Sequence, residues 1–354
     1  MEPNASDTSV DEASVVDAAT GAARRWIAAI GDTGALDRYS TLVAETAGAL
    51  WRGGVDALAT CRALTGLHDA LAVRLIELAQ AEFGPPPCPF AWVALGSGGR
   101  MEQSLYTDQD HAVVYAEGEE AAEPYFAALG VWMVDGLARA GLRRCSGGYM
   151  ADRWHMALPA WLDLFHGWLA RPDPQALVEA EVFLDFRRVA GELPLEPLSA
   201  VLRQGADTPL FVLGMARAAV RFPPPWRLVG PLPASHGEVD LKRAGLSALV
   251  LLARLYALAA GSLARSTPDR LAVAATAGML GSRSAADLAE AYRLLVGLRL
   301  ATQLRQVEAG QVPGNRVQLA DLTPGERAGL RQGLRAIRSV LRVTELRFRT
   351  DTVL

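Results

Sequence analysis

The chain contains 354 residues, 51% of them hydrophobic and 21% charged, a composition typical of a globular protein with room for two domains. Its formal net charge of −4 argues against nucleic acid as a partner, because proteins that bind duplexes usually carry a basic surplus. The three widely spaced cysteines offer neither a disulfide framework nor zinc-ligand spacing, and they suit a reducing cytoplasm.

The start of the chain is polar and acidic and does not have the pattern of a secretory signal. We expect residues 1–30 to form a disordered acidic tail. The most apolar stretch, residues 244–264, is interrupted by Arg254, which favours a buried helix over a membrane span. These features predict a cytoplasmic protein with no membrane partner.

Residues 34–83 predict helices, because leucines recur there at three- and four-residue steps. Gly84 and the three prolines after it end this helical region. The short apolar runs 90–95 and 111–115 predict buried strands, and residues 120–141 predict a further helix.

The second half of the chain has a different pattern. The apolar run 182–186 predicts one later strand, and beyond about residue 198 long helices dominate. Thr323, Pro324 and Glu326 have the spacing of a capped helix start, and an apolar stripe follows them. An α/β domain followed by a helical bundle is the simplest arrangement that fits this order.

The segment with a chemical signature is a Gly96-Ser97 bend followed by Asp108 and Asp110. On a strand these two aspartates would point to the same face, because side chains alternate with a period of two. Paired carboxylates repel each other unless a cation lies between them, and Mg²⁺ prefers such oxygen ligands. Gly96 would allow a phosphate to approach the backbone closely, and Ser97 could donate hydrogen bonds to it.

Other glycine-rich motifs do not fit these residues. A Walker loop needs Lys and then Ser or Thr where Arg100 and Met101 stand, and a dinucleotide fingerprint needs glycine in place of Met101. A nucleophile elbow needs glycine in place of Leu95. From the local pattern alone, a simple turn with two solvated carboxylates remains an alternative.

The chain resembles a nucleotidyltransferase family that is often fused to cyclic-nucleotide-binding and CBS domains. That family is similar to the catalytic domain of the PII uridylyltransferase, in the DNA polymerase β superfamily. The resemblance covers roughly residues 40–346, although the family commonly has glutamate and asparagine where this chain has Gly98 and His111. Its motifs lie at residues 96–103, 107–110, 145–151, 185–187 with Gly191, 240–243, 267–271 and 298–300 with Gln303.

The resemblance implies an α+β fold. A polymerase-β-like domain with a mixed sheet and N-terminal helices would occupy residues 31–197, and a helical nucleotide-binding domain would occupy residues 198–354. It also implies that Asp185 is a third catalytic acid and metal ligand beside Asp108 and Asp110. The alternative for Asp185 is an ion pair with a neighbouring arginine, Arg187 or Arg188.

Five further residues are weighed for contacts in the site. Lys242 is the only lysine in the chain and could neutralise a triphosphate. Arg100 could contact phosphate or pair with Glu102 on the surface. We expect Arg299 and Gln303, one helical turn apart, to lie on an exposed polar face, although they could line the cleft. We interpret Thr267, before a proline, as a helix cap.

The resemblance implies a metal-dependent transfer of a nucleoside monophosphate from an NTP, with pyrophosphate released. Mg²⁺ or Mn²⁺ would be the cofactor, held by Asp108, Asp110 and Asp185, and Gly96, Ser97, Arg100 and Lys242 would bind the nucleotide. The acceptor is expected to be a regulatory protein in signal transduction. The alternatives are a non-catalytic nucleotide sensor and a nucleotidyltransferase of the toxin–antitoxin type.

Overall fold

The computed structural model describes residues 12–225 and 237–351. It is a mixed α/β fold with a small sheet and many helices, which confirms the expected α+β class. In chain order the first half contains α1 Glu12–Ala28, α2 Tyr39–Arg52, α3 Ala57–Phe83, β1 Phe90–Ala94, α4 Gly96–Gly99, β2 Asp108–Gln109, β3 His111–Tyr115, α5 Ala122–Arg139, β4 Arg143–Arg144, β5 His155–Ala157, α6 Leu158–Ala170, α7 Pro174–Phe183 and β6 Arg187–Gly191.

The second half is almost entirely helical. It contains α8 Glu196–Gln204, α9 Pro209–Val220, β7 Glu238–Asp240, α10 Ser247–Ala259, α11 Thr267–Thr276, α12 Ser282–Glu308, β8 Arg316–Gln318 and α13 Pro324–Phe348, with one π-helical turn, Lys242–Leu246, directly before α10.

The expectation of a disordered tail over residues 1–30 is wrong from residue 12 onward. Residues Glu12–Ala28 form helix α1, in which Ala23 and Ile27 are buried. With Ile30 they recur at helical spacing and pack into the main core, so apolar burial outweighs the polar composition of this segment. Residues 1–11 lie outside the part of the chain that the structure describes.

The main sheet has the strand order β5-β3-β1-β6. Strand β1 lies in the centre and pairs antiparallel with β3 and β6, whereas β3 pairs parallel with β5. The predicted strands at 90–95 and 111–115 are confirmed, and both are buried. The sheet therefore presents the end of β1 and the start of β3 side by side, at the place where the Gly96-Ser97 bend begins.

The predicted strand at 182–186 is wrong, because Val182 and Phe183 are the last two residues of α7 and the strand begins only at Arg187. Phe183 is buried among the indole rings of Trp154, Trp161 and Trp168. A short apolar run is equally compatible with a buried helix end and a strand, and here packing against these rings decides in favour of the helix.

The C-terminal helices pack around α10, whose side chains are buried along most of its length. The prediction of a buried helix in residues 244–264 is therefore confirmed, and none of the described helices is long and apolar enough to cross a membrane. The capping box at Thr323 and Glu326 is also confirmed. Strands β7 and β8 form a short antiparallel pair that was not predicted. Strand β7 lies before α10, and β8 follows α12.

Candidate nucleotide and metal site

The glycine bend after β1 forms a single helical turn, Gly96–Gly99. Gly96 has a φ of +50°, and a Cβ at this position would lie 2.9 Å from Oδ2 of Asp110. At Gly99 a Cβ would collide with the backbone carbonyl of Asp185. Glycine is therefore required at the first position by conformation and by space, and at the second by close backbone packing.

The two aspartates of the motif lie on the same side of the chain. Asp108 belongs to β2, Asp110 follows it, and both line one cleft with Gly96 and Ser97. The side chain of the intervening Gln109 points to the opposite side and donates hydrogen bonds to the backbone carbonyls of Val134 and Leu142. His111 is buried there too, with its Nε2 3.1 Å from Oε1 of Gln109. The predicted placement of Asp108 and Asp110 on one side is thus present in the structure.

The carboxylates of Asp108 and Asp110 have little cationic compensation. Burial raises the pKa of Asp110, the charge of Asp108 raises it further, and a hydrogen bond from the Cys145 thiol opposes this shift. The nearest cationic atoms to Asp108 are Nε of Arg143 and Nζ of Lys242, each 4.0 Å from a carboxylate oxygen. Two adjacent acids without a close cation form a pair of oxygen ligands suited to a divalent ion.

The cleft has a volume of about 260 Å³ and lies between the sheet domain and the C-terminal helices. Arg299 on α12 lines it, as do Lys242 in the π-helical turn and Arg254 on α10. Lys242 is half exposed, with Nζ directed towards Asp108. The described cleft is therefore acidic at the sheet and basic at the helices, a distribution that suits a metal-bound polyphosphate.

Asp185 does not join the other two acids, which corrects the expectation that it is a third metal ligand. Its side chain is 0% exposed and it is paired with Arg254 at 2.6 Å, Arg270 at 2.5 Å and Arg100 at 2.5 Å. Burial alone would raise the pKa of Asp185, but these three guanidinium groups together hold it below its usual value. The described residues contain no group of three or more His, Cys, Asp or Glu side chains able to hold a metal.

The alternative ion pair with Arg187 or Arg188 is also absent, because Arg187 pairs instead with Asp69 at 2.9 Å. Asp185 lies two residues before Arg187, the first residue of β6. The side chain of Asp185 points towards α10 and α11, where it pairs with Arg254 and Arg270. Its role in the structure is to neutralise arginines between the sheet domain and the helical domain.

Arg100 lines the cleft but also holds the glycine bend in place. Its Nε donates to Glu102 at 2.6 Å, so the predicted pair with Glu102 exists, although it is buried and not on the surface. The other carboxylate oxygen of Glu102 accepts from the backbone N–H of Thr267 at 2.6 Å. The predicted cap at Thr267 is wrong by one residue, since Ser266 caps α11 and Thr267 is buried against Glu102.

The sequence analysis missed or misplaced two cleft residues, Arg299 and Glu181, and it misplaced Gln303, which does not line the cleft. Arg299 is partly buried and donates from Nη2 to the Tyr106 carbonyl at 2.8 Å, and Gln303 is fully buried, so neither lies on an exposed face. Glu181, at the end of α7, is partly buried in the cleft, and burial raises its pKa. No spacing pattern marks Glu181, because only the packing of α7 brings it to this site.

A glycine bend beside two carboxylates, facing basic helices across a cleft, has the features of a nucleotide-binding site. Residues 41–175 match the family described as "Putative nucleotidyltransferase DUF294", and residues 209–348 match the one described as "Putative nucleotidyltransferase substrate binding domain". Together the two matches span most of the chain, which therefore belongs to this nucleotidyltransferase family. No curated protein matches the chain.

Proposed function

We propose that the protein transfers a nucleoside monophosphate from an NTP to an acceptor and releases pyrophosphate. The observation that carries this proposal is the convergence of Asp108 and Asp110 in one cleft, beside Gly96 and opposite Lys242. Phosphoryl-type transfer depends mainly on positioning and on neutralising charge, and both elements are present in this cleft.

A divalent cation, Mg²⁺ or Mn²⁺, fits the pair formed by Asp108 and Asp110. Mg²⁺ is usually bound through one or two carboxylates, with waters and substrate phosphates completing its shell. Burial and the neighbouring charge of Asp108 raise the pKa of Asp110, and a bound cation would relieve this cost. When bound, the ion would neutralise phosphate charge and orient the reacting oxygens.

The chain's own residues would bind and orient the nucleotide around that pair. The backbone at Gly96 and the Ser97 hydroxyl would hold phosphate oxygens, as expected from the motif. Lys242 and Arg299 would contribute positive charge from the helical side, and Arg100 stays a candidate for a phosphate contact. These groups would hold the triphosphate with its α-phosphorus towards the carboxylates.

Since Asp185 is engaged elsewhere, Glu181 is the carboxylate best placed to remove a proton from the acceptor. It lines the same cleft and has no ion pair or hydrogen bond among the described residues. Its raised pKa makes it a better proton acceptor than an ordinary glutamate near neutral pH. By analogy with the uridylyltransferase, we propose that the acceptor is a side chain of a regulatory protein in signal transduction.

One observation favours a second candidate, a non-catalytic nucleotide sensor. The third acid expected from the family resemblance lies in an arginine cluster and not in the cleft. Such a cleft could bind a metal-nucleotide complex without completing the transfer. The sensor proposal requires the same Asp108 and Lys242, so it differs from the transferase in turnover and not in binding.

Incubation with each α-labelled NTP, Mg²⁺ and a lysate of the source cells tests the two proposals. The transferase predicts label on a macromolecule and release of pyrophosphate, both lost in Asp108→Asn and retained in Asp37→Asn, a matched change at an exposed site. Saturable nucleotide binding without pyrophosphate release supports the sensor. Absence of nucleotide binding by the wild-type protein refutes both.

A further inference from the structure

Three polar side chains beside the glycine bend form a chain of hydrogen bonds. Ser97, on α4, and Thr107, directly before Asp108, both line the cleft, and their hydroxyl oxygens lie 3.5 Å apart. Gln103 donates from Nε2 to Oγ1 of Thr107 at 3.3 Å. We refer to Gln103, Thr107 and Ser97 together as the hydroxyl relay.

Gln103, at the inner end of the hydroxyl relay, is anchored to α3. It is 8% exposed and is not among the described residues that line the cleft. Its backbone N–H donates to the Thr65 hydroxyl at 3.1 Å, and that hydroxyl donates to the Cys61 carbonyl at 2.9 Å. A ligand in the cleft can therefore reach Ser97 and Thr107, whereas Gln103 acts only through Thr107.

The amide of Gln103 fixes the direction of the first hydrogen bond. An amide nitrogen only donates, so Oγ1 of Thr107 is the acceptor. The Thr107 hydroxyl carries one proton, and the described residues offer it two acceptors, Oγ of Ser97 at 3.5 Å and the Asp108 carbonyl at 3.4 Å. Ser97 donates to Thr107 in the arrangement that uses the carbonyl, and accepts from Thr107 in the other. The same heavy atoms thus allow two arrangements of the protons.

A phosphate in the cleft selects between these two arrangements. Ionised phosphate oxygens accept hydrogen bonds and do not donate them, so Ser97 must give its proton to the ligand. Its oxygen then accepts from Thr107, which accepts from Gln103. All donors of the hydroxyl relay then point towards the ligand, and hydrogen bonds in such a chain strengthen one another in a low-dielectric site. The present distances of 3.3 and 3.5 Å leave room for both bonds to shorten.

We propose that Gln103 and Thr107 are positioning residues that direct the Ser97 hydroxyl proton towards a phosphate oxygen of the bound nucleotide. The proposal rests on the proposed function, because that phosphate belongs to a triphosphate held in the cleft. One consequence separates this role from a general contribution to the fold. The effect of Gln103 and Thr107 on phosphate binding exists only while the Ser97 hydroxyl is present.

Isothermal titration calorimetry with inorganic tripolyphosphate and Mg²⁺ measures phosphate binding without a nucleobase. We expect Ser97→Ala to weaken binding about tenfold, and Thr107→Val and Gln103→Met to weaken it about threefold to fivefold each. Thr107→Ser keeps a hydroxyl and should bind within about twofold of wild type. Thr276→Val, a matched change at an exposed position of α11, should leave the affinity unaltered.

Double variants distinguish the hydroxyl relay from a structural role. In a Ser97→Ala background, Thr107→Val and Gln103→Met should each weaken binding by less than about twofold more, because the group they orient is gone. Equal losses with and without Ser97 overturn the proposal, and so does wild-type affinity in both single variants. Thermal unfolding checks that each variant is folded, and Thr107→Val alone decides the test should Gln103→Met not fold.

Failure of the hydroxyl relay and failure of the proposed function give different results. Tripolyphosphate binding that is lost in Asp108→Asn but unchanged in Thr107→Val overturns the relay and leaves the nucleotide cleft in place. Binding that is unchanged in Asp108→Asn puts the polyphosphate outside the cleft and overturns both. Absence of binding by the wild-type protein also overturns both.

Discussion

Replacing Asp185 with asparagine should destabilise the protein, because Asp185 is a structural ion and not a metal ligand. The substitution keeps the volume of the side chain but removes its charge. It leaves Arg100, Arg254 and Arg270 buried around a neutral amide. Glu102 would still compensate Arg100, so two guanidinium groups lose the carboxylate with which they form close ion pairs.

Removing one partner from a buried ion pair typically costs about 3–5 kcal/mol of unfolding free energy. We expect Asp185→Asn to lie in that range, which for a cooperative unit of 354 residues corresponds to a midpoint of thermal unfolding lower by roughly 4–7 °C. As a control, Asp37→Asn removes an exposed partner of Arg139 and should cost less than about 1 kcal/mol. Urea titration of both variants at neutral pH measures the difference.

The dependence on pH has a defined sign. Because the folded protein holds the pKa of Asp185 below its usual value, the stabilisation is complete above the unfolded pKa of about 3.9 and is lost as the pH falls through the folded value. The difference in unfolding free energy between wild type and Asp185→Asn should therefore be constant from neutral pH down to about pH 5 and should become smaller below about pH 4. A variant as stable as wild type that no longer binds Mg²⁺ would refute this reasoning and restore Asp185 as a metal ligand.

Three further changes probe the cleft. Gly96→Ala places a side chain at positive φ against Asp110. We expect the rate of nucleotidyl transfer to fall more than about tenfold, while the free energy of unfolding falls by only about 1–2 kcal/mol. An unaltered transfer rate would argue against a close approach of phosphate to Gly96. Lys242→Met removes the half-exposed ammonium facing Asp108, and steady-state kinetics should show KM for the NTP raised about tenfold. Glu181→Gln should lower kcat by about 10² or more, and it should abolish the loss of activity as the pH falls through the raised pKa of Glu181; a wild-type pH profile in this variant would exclude the residue as the base.

The parts of the site that the sequence predicted are local ones. The turn at Gly96 and the placement of Asp108 and Asp110 on one side follow from glycine conformation and from alternation along an extended chain. Residues within one short segment cannot change their relative directions without changing their own backbone. For this reason a motif of fifteen residues was enough to identify the carboxylate pair.

The misplaced residues depend on contacts between distant segments. Asp185 follows an apolar run that could end a helix or begin a strand, and only the packing of Phe183 among tryptophans makes it a helix end. That choice turns the carboxylate away from the cleft. Arg299 and Gln303 suggested an exposed polar face, yet Arg299 is partly buried and Gln303 fully buried, and each donates to a backbone carbonyl outside α12. Side-chain polarity alone does not reveal whether such a partner exists.

The contacts between the two domains indicate how the helical region can affect a loop that belongs to the sheet domain. Glu102 and Asp185 lie beside the glycine bend, and their partners Thr267, Arg254 and Arg270 all belong to α10 and α11. Any separation of these helices from the sheet would expose or unpair buried charges, which makes small relative shifts costly. The geometry of the Gly96 bend is therefore set jointly by both domains. It follows that the sheet domain expressed alone should hold the bend poorly, even though it contains the whole carboxylate motif.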